Sequence, residues 1–493
     1  MFRSDAINEI LQKYKAVWAL NHSSALLSWD LETYMPEGGA RPRGEAQAQL
    51  ALLRQKFVID LRGLIERSEE APDLNDFEKG VLRVLRRDLH YFTMVPPRLI
   101  EELQKVTTEA TVVWRDARKK SSFSIFKPYL EKIVDLKRQE ADKLGYERHP
   151  YNALADMYEE GITIDDLDRI FSMLVPKLKR ILTKVEREGK FPPRDSLESK
   201  KYDAEAMKRV NDKLIEILGM PMNRFRMDVS THPFTDTIAQ DDVRITTRYE
   251  GRDFRATMFS VIHEAGHAIY ELQVDDALSY TPLAGGVSSG VHESQSRFWE
   301  NVLGRSAAFA SLVLPILKRN LPFLSRYSSE KIYKYFNMVR PSLIRVDADE
   351  LTYNFHIALR YDIEKKLIGG ELSVSELPAL WNDTIHDYLG VRPKKDSEGV
   401  LQDIHWSGGS FGYFPCYSLG NVITGMVWHS IKKGISLKDA IRGREFERVK
   451  GWLKEKVHKW GSTYAPKDLQ MRAFGEAYNP ERLVSYLEDK FLE

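Results

Sequence analysis

Apolar residues return every third or fourth position through most of this chain, and that period admits little besides packed amphipathic helices. In FEKGVLRVLRRDLHYF (77–92), IFKPYLEKIVDLKRQEADKL (125–144) and SELPALWNDTIHDYLG (375–390), charges fill the positions between. Helix starts agree: TIDDLDRI and SLKDAI each set Thr or Ser ahead of acids and an apolar run. The period changes in one region. Phe225, Met227 and Val229 alternate in RFRMDVST, as do Val243, Ile245, Thr247 and Tyr249 in DVRITTRYE. This predicts two short strands around HPFTDTIAQD. The expected fold is mainly α, with a small β-sheet immediately before FSVIHEAGHAIYELQ (259–273).

By the prior of roughly 100 to 200 residues per domain, 493 residues allow several domains or one large unit. Pro, Gly and charge cluster at EEAPDLND, EREGKFPPRDSLESKKYD and GVRPKKDSEG, but none is long or simple enough for a flexible linker. No internal repeat is found. With 73 basic and 72 acidic residues the net charge is +1, so nothing pulls the whole chain toward nucleic acid or an anionic membrane. The basic clusters RVLRRD and RDARKK have acids nearby and read as solvated helix faces. No apolar run approaches the length of about 18 residues that a span needs. The N-terminal stretch puts Ile7, Ile10, Leu11, Tyr14 and Trp18 at helical spacing instead of forming a signal-peptide core. Cys416 is the single cysteine, which leaves no intrachain disulfide. The expectation is a cytoplasmic protein without nucleic-acid or membrane partners.

His263 and His267 stand four residues apart inside an apolar helical run, about 40 degrees from each other on one face. Two imidazoles at that spacing can hold one metal ion, and Glu264 lies beside the open side of such a site, where a general base belongs. Unpaired polar groups would be costly among Phe259, Val261, Ile262, Ala268, Ile269 and Leu272. Gly266 costs about 1 kcal/mol relative to Ala in a helix interior, which makes sense if another segment must approach closely there. A catalytic zinc site takes three protein ligands and keeps a fourth position open. Glu293, in a second helical pattern 26 residues after His267, is the expected third ligand. His292 is the competitor, and adjacent helical residues diverge too far for both to face one metal.

HEAGH followed by the Glu of HESQ resembles the carboxypeptidase Taq family of metallocarboxypeptidases. Further motifs match: HPF (232–234), DVRIT (242–246), IRVDAD (344–349) and GVLQDIHW (399–406), with SWDLETYMP similar to the family's opening segment. The resemblance implies a single two-lobed, zincin-type helical domain over residues 1–493, with a deep central groove, acting as a homodimer. It implies removal of single residues from peptides with a free C-terminus. It carries the metal ligands onto His263, His267 and Glu293 and the general base onto Glu264. The segments around His232 and Arg244 are expected to close one end of the groove.

One divalent metal per chain is implied, zinc first, with cobalt or manganese able to use the same donors. Glu264 would take the proton of an attacking water on the metal and pass it to the leaving amine. The oxyanion needs further donors. His405 in DIHW and a tyrosine of FGYFPCYSLG are the candidates, Tyr417 ahead of Tyr413 because its placement resembles the family's; aromatic packing is the alternative for both tyrosines. A guanidinium suits the terminal carboxylate, and the motifs point to Arg345, then Arg244. Either could instead form a structural salt bridge, with Asp349 and Asp242 as nearby partners. Asp349 is expected to orient a ligating histidine. Cys416 reads as a small packed residue, and GGVSSG lacks the spacing of a phosphate loop. The rival readings are an oligopeptidase or dipeptidyl carboxypeptidase on the same scaffold, and a non-catalytic helical binding protein.

Overall fold

The computed structural model describes residues 1–69 and 71–493 and is built mostly of helices. The first two expected segments fall inside Asp76–Met94 and Phe123–Leu144, and the third covers Leu377–Leu389 with the end of the 3-10 turn Val374–Glu376 before it and the capping Gly390 after it. Thr163 caps the helix Ile164–Glu188 with a reciprocal capping box through Asp166, and Ser436 caps Leu437–Gly443. Among the described residues no helix is long and apolar enough to cross a membrane.

Where two strands are expected, three form. β1 (Phe225–Val229) runs parallel to β3 (Asp242–Thr247), and the intervening segment supplies β2 (Thr235–Ala239), antiparallel to β3. The order β1-β3-β2 leaves β2 at an edge. β2 reads Thr-Asp-Thr-Ile-Ala with Ile238 alone buried, so it carries too little apolar signal to be seen in advance. The buried apolar side chains of β3, Val243 and Ile245, join the largest apolar cluster together with Phe254, Met258 and Phe259 of the motif helix Phe254–Leu272. The N-terminal helix Asp5–Thr33 flanks β2: Trp29 meets Phe234 edge-on at 5.4 Å, and the His22 ring contacts the Ile238 carbonyl at 2.9 Å.

Two further helices fix the site. The short helix Ser289–Arg297 continues as a π-helical turn, Phe298–Gly304, and lies between the motif helix and the helix Pro415–Ile431. Its closeness to both depends on glycine. A Cβ on Gly266 would sit 2.7 Å from Ser296 Cα, and one on Gly420 would sit 2.6 Å from Glu293 Cγ. The close approach expected at Gly266 is therefore what the structure contains, and Gly420 provides the matching one on the other side.

Candidate metal centre and active site

One turn of the motif helix separates His263 from His267 and turns both Nε2 atoms toward Oε2 of Glu293, 3.6 Å from each. These three donors lie within 4.8 Å of one another. Donors about 2.0–2.2 Å from a shared tetrahedral centre would be about 3.3–3.6 Å apart, so the set fits a divalent ion. Glu293 is placed by the start of its own helix. Ser288 caps it, accepting from the Val291 amide at 3.2 Å, and Glu159 accepts from the Gly290 amide at 2.7 Å and the Ser288 hydroxyl at 3.0 Å. Tyr478 donates to the same carboxylate at 2.5 Å, and burial pushes Glu159 up to about 7.

Each imidazole is oriented from behind. With Nε2 turned to a metal, Nδ1 of His263 carries the proton and donates to Oε2 of Glu300 at 2.9 Å. Burial alone would raise Glu300, but Arg305, His263 and Arg297 outweigh it and hold the carboxyl well below the usual range. Nδ1 of His267 meets Nδ1 of His292 at 2.6 Å, and Nε2 of His292 meets Oε1 of Glu271 at 2.8 Å. His292 thus faces His267 and Glu271 instead of competing with Glu293. The expectation for Asp349 is overturned. Its carboxylate accepts from the amides of Arg340, Leu351 and Thr352 and from the Thr352 hydroxyl, which fixes its own loop, and Glu300 occupies the position behind His263.

Glu264 points toward β2, where the Thr235 hydroxyl donates to Oε2 at 2.7 Å; burial raises its carboxyl above the ordinary value. His405, Tyr413, Tyr417, Arg345 and Tyr353 form one cluster. His405 Nε2 lies 3.2 Å from the Tyr417 hydroxyl, and Arg345 stacks over the Tyr417 ring at 5.1 Å. Burial, with help from Arg345 and Arg360, pushes His405 down to about 4, so the ring is neutral near pH 7; burial pushes Tyr417 up. Tyr413 meets Tyr417 edge-on at 5.3 Å.

Arg345 is buried and pairs with Asp403, not Asp349: Nε and Nη2 are each 2.9 Å from Oδ1, and Nη1 donates to Tyr353 at 2.8 Å. Its amide donates to Gln402 at 2.8 Å, so IRVDAD and GVLQDIHW are held together. Arg244 makes the salt bridge weighed for it, two bonds of 2.6 Å to Asp242, and lies over Trp29. His232 is exposed in the turn between β1 and β2. Cys416 is buried, and burial raises its thiol. Beyond His267, a cavity of about 160 Å³ is lined by Trp18, His22, Ile238, Glu271 and Tyr280.

Sequence reasoning missed Glu300, the His292–Glu271 pair and Glu159. Glu300 alone carried a signal: it is seven residues after Glu293, on the same helical face.

A mainly helical chain with this donor set and a further carboxylate, Glu264, on the same helix falls in the class of helical metallopeptidases. The family model for carboxypeptidase Taq (M32) metallopeptidase matches residues 9–491. Thermostable carboxypeptidase 1 of Pyrococcus furiosus is 46% identical over 496 residues, covering 100% of this chain and 99% of that protein. Carboxypeptidase 1 of Bacillus subtilis is 37% identical, covering 98% and 97%. Among solved structures, a Pyrococcus furiosus carboxypeptidase superposes with a TM-score of 0.98 at 46% identity, covering 99% of each chain. Trypanosoma cruzi metallocarboxypeptidase 1 gives 0.94 at 33% identity, again covering 99% of each. The chain belongs to the carboxypeptidase Taq (M32) metallopeptidase family. Family membership makes it a metal-dependent carboxypeptidase.

Proposed function

We propose that this chain removes single amino acids from the free C-terminus of peptides, with His263, His267 and Glu293 as ligands of one divalent metal and Glu264 as general base. The observation that carries the proposal is the convergence of two Nε2 atoms on one Glu293 oxygen, with a second carboxylate, Glu264, beside them. When bound, the metal, zinc before cobalt or manganese, supplies a Lewis acid for the scissile carbonyl and lowers the pKa of water toward 7.

The chain's own residues do the rest. Glu264 takes the proton of the attacking water and returns it to the leaving amine. Its Thr235 hydrogen bond aims Oε2, and its burial keeps the carboxyl basic enough for that exchange. Tyr417 donates to the developing oxyanion, and neutral His405 holds or shares that role across their 3.2 Å contact. Arg345 binds the substrate carboxylate. Three of its five N–H groups face Asp403 and Tyr353, and the other two are assigned here to the substrate. Arg244 and His232 are second candidates at the groove end. The same reading includes one two-lobed domain over residues 1–493, a homodimer, and a cytoplasmic setting.

The test is to incubate metal-loaded protein with a peptide and its C-terminally amidated twin and to follow products by mass spectrometry. Stepwise loss of single residues from the free acid alone is expected. Internal or dipeptide cuts in both peptides would refute the exopeptidase reading and favour an oligopeptidase or dipeptidyl carboxypeptidase.

A further inference from the structure

A carboxylate can offer a metal one oxygen or two, and a second oxygen from Glu293 would fill the position that substrate needs open. Glu293 Oε2 faces the imidazoles, but Oε1 is turned away and accepts from Nε of Arg297 at 2.7 Å. Arg297 has little freedom. Its Nη1 reaches Oε2 of Glu300 at 3.3 Å, and its guanidinium lies over the Tyr353 ring, 4.7 Å from the centroid. The Glu300 oxygen it touches is the one that orients His263. The contacts therefore close on themselves: His263 to Glu300, Glu300 to Arg297, Arg297 to Glu293, and Glu293 back to the face of His263.

Helix geometry explains the closure. Glu293, Arg297 and Glu300 are spaced i, i+4 and i+7 and share one face. The π-helical turn Phe298–Gly304 then brings Arg305, five residues beyond Glu300, to Oε1 of that carboxylate at 2.7 Å. Both oxygens of Glu300 are thus occupied, and it cannot swing away from Arg297.

We propose that Arg297 is a positioning residue that keeps Glu293 a one-oxygen ligand and so keeps the metal's fourth position open, with Glu300 locking Arg297 and His263 into one frame. This rests on the ligand set proposed above. A planar guanidinium can bridge two carboxylates with fixed directions, whereas a lysine ammonium is a flexible point charge. Arg297→Lys keeps the charge that Glu293 and Glu300 require but releases Oε1.

The experiment uses cobalt(II)-loaded wild type, Arg297→Lys, Arg297→Met and Glu300→Gln, read by d–d absorption, with zinc-edge X-ray absorption counting light-atom neighbours. In Arg297→Lys the metal-free protein should melt near the wild-type temperature. Its cobalt bands should lose intensity severalfold as a further oxygen raises the coordination number, and zinc should gain one light-atom neighbour. In Glu300→Gln, metal affinity should fall about tenfold to a hundredfold. An unchanged cobalt spectrum and neighbour count in both Arg297→Lys and Arg297→Met overturns the proposal while leaving the ligand set standing. His263→Ala separates the two: undiminished metal binding there would refute the ligand set, and this proposal with it.

Discussion

Gly420→Ala should separate the stability of this protein from its activity. The new methyl group would lie 2.6 Å from Glu293 Cγ and 2.7 Å from its Cβ. Reaching ordinary contact beyond 3.4 Å requires the ligand helix or the helix Pro415–Ile431 to shift by about 0.8 Å. Overpacking of this kind costs about 1–3 kcal/mol, and replacing a mid-helix Gly returns about 1 kcal/mol. The net loss should be about 0–2 kcal/mol. Glu293 cannot yield freely, because Gly266 already presses Ser296 on the opposite side of the same helix. A misplacement approaching 1 Å can cost about 10²-fold in rate, so kcat/KM should fall tenfold to a hundredfold. The assays are urea unfolding of the metal-free protein, metal titration, and hydrolysis of a blocked dipeptide. Wild-type metal affinity and kcat/KM in a folded Gly420→Ala protein would refute the idea that this contact sets the Glu293 position. Gly266→Ala should be worse for stability, since its methyl would meet backbone atoms of Gln295 and Ser296 that cannot rotate away.

Glu264→Gln should lower kcat/KM by about 10²–10⁴-fold while atomic-absorption metal content stays at the wild-type level; lost metal would assign Glu264 a structural part instead. Tyr417→Phe should lower kcat by about 10²–10³-fold with little change in KM in steady-state assays. His405, held at about 4, should contribute no break between pH 5 and 8, so the rate profile of His405→Gln should keep the wild-type shape at lower amplitude. Glu159, raised by burial from 4.5 to about 7, favours the fold fully below about 4.5, and that contribution is lost as pH rises through 7. The lost contribution is about 3 kcal/mol at most, so the melting temperature of Glu159→Gln relative to wild type should climb between pH 5 and 8. A difference independent of pH would show that Glu159 does not titrate there.

The helices were legible because their periodicity is local, and the pairing of His263 with His267 because a four-residue spacing on one helix fixes its own geometry. The divergence of adjacent side chains allowed only one of Glu293 and His292 to face the metal without saying which; that His292 turns to His267 and Glu271 follows from contacts between separate segments that no local pattern sets. Asp349 was misread because its side chain closes onto the backbone of its own loop, the habit of Asp in turns. β2 was missed because an edge strand beside a helix needs only one buried side chain. Glu159 could not be found at all: it lies about a hundred residues from the motif helix and serves the site through the Gly290 amide and the Ser288 hydroxyl.

The Glu159–Tyr478 bond also joins an early-made part of the chain to a late-made one. The two residues are 319 positions apart, and the carboxylate between them steadies the helix that carries Glu293. At about 5–20 residues per second the ribosome needs about 16 to 64 s to travel from one to the other. For the last 211 positions of that interval, from His267 to Tyr478, the two histidines already exist without the completed clamp on their third partner. A chain able to trim exposed C-termini thus completes the contacts beneath its third donor only once its late-made segment has docked.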